Sequence, residues 1–203
     1  MIDTLLFDLG NVLYTFDMSL PKEFLLKHAP DMAPEGLLKL KDRLRAYETG
    51  EIDTMEFYRA VKQDTGYTGE FEDFRRAFSN IFRENPDVIP LIPKLEKKYP
   101  LFLLSNPNEM HIEHILKHFK ALEHFRDVIY SFQVHAAKPD PEIFRRVVER
   151  FGVNPETTLF IDDLEKNIAA AEESGFRVLH YPVEEGKPLL NLQDELTKIG
   201  IEL

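Results

Sequence analysis

The sequence predicts an α/β protein, a parallel sheet covered by helices on both faces and interrupted after its first strand by an all-helical insert. Three observations carry this. From about residue 87 onward, short apolar runs alternate with helical patterns, as in a series of βαβ units. One further apolar run stands at the amino terminus, and between residues 17 and 86 the pattern is helical, with no convincing strand. The chain therefore divides into a sheet-bearing core, 1–16 with 87–203, and an insert, 17–86.

The first run lies within TLLFDLGNVL, Thr4 to Leu13. It is rich in Leu and Phe, too short for a helix and stopped by Gly10 and Asn11, so it reads as a strand buried on both faces. The insert offers four amphipathic segments: Leu20 to His28, Pro34 to Ala46, Thr54 to Gln63 and Phe71 to Phe82. Asp53 and Glu56, three residues apart, have the form of a capping box. Met55, Phe57, Tyr58 and Val61 follow at helical spacing and are expected to form the insert's own core. Beyond residue 87 the strand candidates are Leu101 to Ser105, Asp127 to Ser131, the run TLFID beginning at Thr158, and Arg177 to Tyr181. Asp140 before Pro141 opens a helix running toward Phe151, and Gly152 and Gly175 stand where helix ends favour a left-handed residue. The crossovers should be right-handed.

With 203 residues and 43% hydrophobic content the chain can bury one sizeable core,. Its net charge of −11 is spread through helical segments, which argues against unaided binding to nucleic acid or an anionic membrane. There is no cysteine, so disulfides, thiol catalysis and thiolate metal sites are excluded. The start MIDTLLFDLG has neither a basic leader nor a long apolar stretch, and a cytoplasmic location is the expectation.

The acidic residues at the strand ends are the informative ones. Asp8 follows the first run, and Asp162 with Asp163 end TLFIDD. Open parallel sheets bind ligands at the carboxyl ends of their strands. If the two strands are neighbours, three carboxylates converge in one crevice, and a hard divalent cation would relieve their repulsion. Each alone could be a strand-end or helix cap.

Four motifs in order, FDLGNVL, LFLLSN, Lys138 in AAKPDPEIF and FIDDLEKN followed by Ala171 and Gly175, resemble those of the haloacid dehalogenase-like hydrolases. The resemblance covers nearly the whole chain, and the FDLGNV form is similar to the sugar-phosphate phosphatase branch, glucose-1-phosphate phosphatase among it, and to the phosphatase domain of soluble epoxide hydrolases. It implies a Rossmann-like core with spatial strand order 3-2-1-4-5, residues 17–86 as a helical cap, and a magnesium-dependent phosphatase acting on a small phosphorylated metabolite. Asp8 would be the nucleophile that forms an aspartyl phosphate. Lys138, Ser105, Asn106 and the backbone of Leu9 and Gly10 would hold the phosphate. Asp8, the Gly10 carbonyl and Asp163 would bind Mg²⁺, with Asp162 mainly orienting a metal-bound water. Asn167 is expected to orient Asp163 or Lys138.

One position departs from the family pattern. The usual phosphatase has a second aspartate two residues after the nucleophile as general acid and base, and here that residue is Gly10. Asp17, His111 and a metal-ordered water are candidate substitutes. His111, His114 and His118 share a helical face and read as solvated or packed rather than as metal ligands, and substrate choice is expected to lie in cap side chains such as Tyr47, Tyr58 or Arg59. A haloacid dehalogenase, which uses the same nucleophile and lacks that acid, and a non-catalytic phospholigand-binding protein are the alternatives. The extra carboxylates disfavour the dehalogenase, because they would repel its anionic substrate.

Overall fold

The computed structural model describes residues 1–184 and 187–203, the side chains of Pro34 and Leu37 aside. The chain order is β1 (Thr4–Phe7), β2 (Tyr14–Phe16), α1 (Ser19–His28), α2 (Pro34–Glu48), α3 (Thr54–Thr65), α4 (Phe71–Ser79), β3 (Phe82–Glu84), α5 (Ile92–Leu95), β4 (Leu101–Ser105), α6 (Glu109–His118), β5 (Asp127–Tyr130), α7 (Ser131–Val134), α8 (Pro141–Phe151), β6 (Thr158–Asp162), α9 (Glu165–Glu173) and β7 (Arg177–His180), before two short strands and α10 (Leu192–Lys198). Five strands form one sheet in the order β5-β4-β1-β6-β7, all parallel. Numbered along the core, this is the expected 3-2-1-4-5.

Every residue of β1, β4 and β6 is buried. Successive side chains of a strand point to opposite faces, and the two sides of the sheet divide accordingly. Leu5, Phe7, Leu101, Leu103, Leu159 and Ile161 join one apolar cluster. Leu6, Phe102, Leu104 and Phe160 join the other, with Phe144 and Val147 of α8. Asp140 caps α8 through the Glu142 amide, and Gly152 ends it at φ 65°, a conformation glycine adopts without steric cost.

Helices α1–α4 have a third core that includes Leu25, Tyr47, Phe57, Val61, Phe74 and Phe78. Asp53 and Glu56 form the reciprocal capping box at the start of α3. Phe57, Tyr58 and Val61 are inside, whereas Met55, expected with them, is 38% exposed. Met110 of α6 completes this core, so the helices are not closed on themselves.

Two strands were not expected. β2 and β3 pair antiparallel where the chain leaves and rejoins the core, with Phe16 opposite Phe82. The helix expected to reach Phe82 ends at Ser79. Three-residue strands carry too few alternations to register as a period, and the Phe82 ring is buried by tertiary contact. Asn85 anchors the return, its side-chain amide donating to the Val12 carbonyl at 2.9 Å.

Candidate active site

Strands β1, β4 and β6 end side by side, and each delivers a polar residue where its apolar run stops. The register aligns Phe7 with Ile161 and with Leu103, so Asp8 and Asp162 leave adjacent strands at one level. One carboxylate oxygen each from Asp8, Asp162 and Asp163 lies within 4.8 Å of the others. Asp8 and Asp162 are buried and Asp163 is half-buried.

Lys138 enters this cluster from the loop between α7 and α8. Its side chain is 2% exposed, and Nζ lies 2.6 Å from Asp162 Oδ2 and 2.7 Å from Asp8 Oδ1. It also donates to the Leu104 carbonyl at 3.0 Å. Burial alone would depress a lysine, but Asp162 and Asp8 outweigh it and hold the ammonium above its usual range,. Burial pushes Asp8 the other way, up to about 7, against the pull of Lys138 and with help from Asp162 and Asp163. The lysine is raised by its carboxylate neighbours and the aspartate chiefly by burial. Three carboxylates face one ammonium, so two negative charges are left uncompensated in a buried place,.

The carboxylates differ in what they still offer. Asp162 accepts from the Leu164 amide and the Asn167 side chain on Oδ1, and from Asn167 and Lys138 on Oδ2. That takes up its lone pairs. Asp163, raised by burial, accepts from Asn11 on Oδ2 at 2.8 Å. Asp8 Oδ1 meets Lys138 Nζ at 2.7 Å and, as a carboxylate oxygen with two lone pairs, keeps acceptor capacity beyond that contact. An acceptor of this kind beside an excess of negative charge fits a hard cation with oxygen ligands.

The structure changes several expected contacts. Asn167 holds Asp162, not Asp163 or Lys138. The Asn106 side chain brackets the backbone of Lys138, donating to its carbonyl at 2.8 Å and accepting from its amide at 2.9 Å. Asp17 is exposed and accepts from the amide and hydroxyl of Ser19, which hold it below the usual carboxylate range. His111 Nε2 faces the Phe78 carbonyl at 3.1 Å, and burial drives the ring down to about 4. Neither residue is placed to donate a proton near neutral pH. His114 and His118 stack 4.5 Å apart in a surface groove beside Arg75 and Lys117. Tyr47 and Tyr58 are core residues, with hydroxyls bonded to Thr54 and to the Gly69 carbonyl, and Arg59 is exposed to solvent.

A cavity of about 90 Å³ opens beside the cluster, lined by Leu9, Gly10 and Ser105 from the strand ends, Phe16 and Phe82 from the ribbon, His111 from α6, and Glu48 from α2. A Cβ built on Gly10 would lie 3.0 Å from Cε1 of Phe16. A side chain at position 10 would thus need the Phe16 ring to shift slightly. Sequence reasoning missed Asn11 and Glu48. Asn11 has a left-handed φ of 57°, which asparagine tolerates, but its partner Asp163 is 152 residues away.

Comparison with known proteins agrees with this geometry. The chain is 29% identical over 192 residues to a D-ribitol-5-phosphate phosphatase of Bacteroides thetaiotaomicron, covering 87% of this chain and 90% of that one. It is 28% identical over 123 residues to a phosphorylated carbohydrates phosphatase of Thermotoga maritima, covering 59% and 57%. Its fold superimposes with a TM-score of 0.83 on a HAD family enzyme of B. thetaiotaomicron in complex with magnesium and inorganic phosphate, at 30% identity over 91% of this chain and 96% of that one. Residues 2–175 match the model of one family, and the chain belongs to it: the haloacid dehalogenase-like hydrolases.

Proposed function

We propose that this hydrolase is a magnesium-dependent phosphatase acting on a small phosphorylated metabolite of the sugar or sugar-alcohol class. The observation that carries the proposal is the strand-end cluster, three carboxylates gathered within 4.8 Å around a single buried lysine. The names of the relatives, which act on ribitol 5-phosphate and on phosphorylated carbohydrates, support the substrate class.

Asp8, the Gly10 carbonyl and Asp163 would hold the ion, with Asn11 orienting Asp163, and Asp162 would keep Lys138 in place. Bound there, Mg²⁺ would supply positive charge to the carboxylates and to the phosphoryl oxygens. Lys138, Ser105 and the amides of Leu9 and Gly10 would orient the phosphate monoester. The Asp8 carboxylate attacks phosphorus in line and expels the alcohol, and water then cleaves the aspartyl phosphate.

A dehalogenase remains the second reading, because Gly10 removes the acid that such an enzyme also lacks. A 2-haloacid dehalogenase of Pseudomonas syringae shares the fold at 20% identity, which speaks for the fold alone. The test is release of 4-nitrophenol from its phosphate with Mg²⁺ and with chelator, beside Asp8→Asn. Metal-dependent turnover abolished in the variant supports the phosphatase. Chelator-insensitive chloride release from a haloacid supports the dehalogenase, and phosphate-ester binding without turnover supports a non-catalytic protein. A panel of pentitol and hexose phosphates then addresses the substrate.

A further inference from the structure

We propose that Glu48, carried by the last turn of α2, is the general acid and base of this enzyme in place of the aspartate missing at Gly10. The assignment rests on the phosphatase reading. Its starting point is that position 10 cannot serve, because glycine has no side chain. A proton donor must come from another wall of the cavity. The described residues lining that cavity include two with ionisable side chains, His111 and Glu48, and the His111 ring is neutral and bonded to the Phe78 carbonyl.

Glu48 is held over the strand ends by contacts of its own segment. Its carbonyl accepts from the hydroxyl of Ser131, at the end of β5, and the next carbonyl, of Thr49, lies 3.2 Å from the ring of His135. At Gly50 the chain comes so close to the core that a Cβ would meet the Phe132 carbonyl at 2.3 Å. These contacts hold the backbone of Glu48, and the residue lines the same cavity as Gly10 and Ser105. Burial raises it to about 7, with Lys166 of α9 pulling it back. A carboxyl in that range can hold a proton at neutral pH and release it.

In the first step the Asp8 oxygen bonds to phosphorus, and the bond from phosphorus to the ester oxygen breaks. The departing oxygen keeps that electron pair and takes the Glu48 proton, leaving as a neutral alcohol. In the second step the Glu48 carboxylate removes a proton from the water that attacks phosphorus. The bond to Asp8 breaks, and inorganic phosphate, the Asp8 carboxylate and protonated Glu48 are regenerated.

The test compares two leaving groups in wild-type protein, Glu48→Gln and Asp8→Asn with Mg²⁺. 4-Nitrophenyl phosphate expels a stable anion and needs little protonation, whereas glycerol 1-phosphate expels an alkoxide. Glu48→Gln is expected to slow single-turnover release of glycerol by about 100-fold to 10,000-fold and release of 4-nitrophenol far less, while hydrolysis of the aspartyl phosphate, common to both esters, slows alike; circular dichroism shows that the variant folds. Equal losses in the single-turnover release of both leaving groups, or none in either, overturn the proposal. Asp8→Asn is expected to lose both, and a wild-type protein that hydrolyses neither ester defeats the phosphatase reading instead. In a Glu48→Gln background, Gly10→Asp with Phe16→Ala restores an acid and the room for it, and glycerol release should return. Glycerol release that stays slow there, with 4-nitrophenol still released, also overturns the assignment.

Discussion

Replacing Lys138 with methionine keeps the length of the side chain and removes its charge. In the folded protein Nζ touches Asp162 at 2.6 Å, Asp8 at 2.7 Å and the Leu104 carbonyl at 3.0 Å, with the residue 5% exposed. Breaking a buried ion pair by removing one partner costs about 3–5 kcal/mol, because the surviving charge stays buried. In a chain of this size each kcal/mol moves the melting temperature by about 2–4 °C. Lys138→Met should therefore melt about 6–20 °C below wild type in chelator. The variant also leaves three carboxylates without a counter-charge, so Mg²⁺ should stabilise it more than it stabilises wild type. Scanning calorimetry with chelator and with Mg²⁺ measures both effects. A variant that melts with wild type in chelator would refute the argument that Lys138 neutralises this cluster, whatever its activity.

Three further outcomes follow from the same coordinates. Gly50→Ala introduces a Cβ at a φ of +71° and 2.3 Å from the Phe132 carbonyl, for a combined cost of about 2–5 kcal/mol; Gly66→Ala, at φ +76° with open space around it, should lose only about 1–2 kcal/mol, and equal losses in denaturant melts would refute the close approach. Asn11→Gly preserves the left-handed backbone and removes the amide from Asp163, so calorimetry should find Mg²⁺ bound about 10–100-fold more weakly, and unchanged affinity would refute that orienting role. His111 is depressed by burial from 6.5 to about 4, so below pH 6.5 the unfolded chain takes up a proton that the folded one refuses. Its stabilising contribution is complete above pH 6.5 and is lost as pH falls toward 4, by up to about 3 kcal/mol; His111→Gln should flatten that part of the stability profile, and an unchanged slope would assign it to other groups.

The core strands are legible because β1, β4 and β6 are buried on both faces, which leaves an apolar run that local sequence displays directly. The same runs point to Asp8, Asp162 and Asp163, since an acid after such a run must stand at a strand's carboxyl end. Helix α3 is legible for a local reason as well, its capping box lying within four residues. What escapes is whatever depends on distant partners. The ribbon of β2 and β3 unites residues 14–16 with 82–84, and Asn11 gains meaning only from Asp163. Glu48 looks like any surface glutamate of an amphipathic helix until the Gly50 turn seats it against the end of β5. Asn106 and Asn167 stand out by position in their motifs, but the carboxylate that Asn167 holds, Asp162, is not legible there, because an amide can serve any of several neighbouring acids.

The pairing of Phe16 with Phe82 means that everything from residue 17 to residue 81 hangs from two adjacent strand ends. A two-residue hairpin turn could join the same ends, leaving the five parallel strands and their acidic rim covalently intact, although Met110 of α6 would lose its cover. If Glu48 carries the proton, a transplant of the helices takes part of the chemistry with it. Substrate preference and proton delivery would then be inherited together as one cassette, while the nucleophile stays behind in the scaffold.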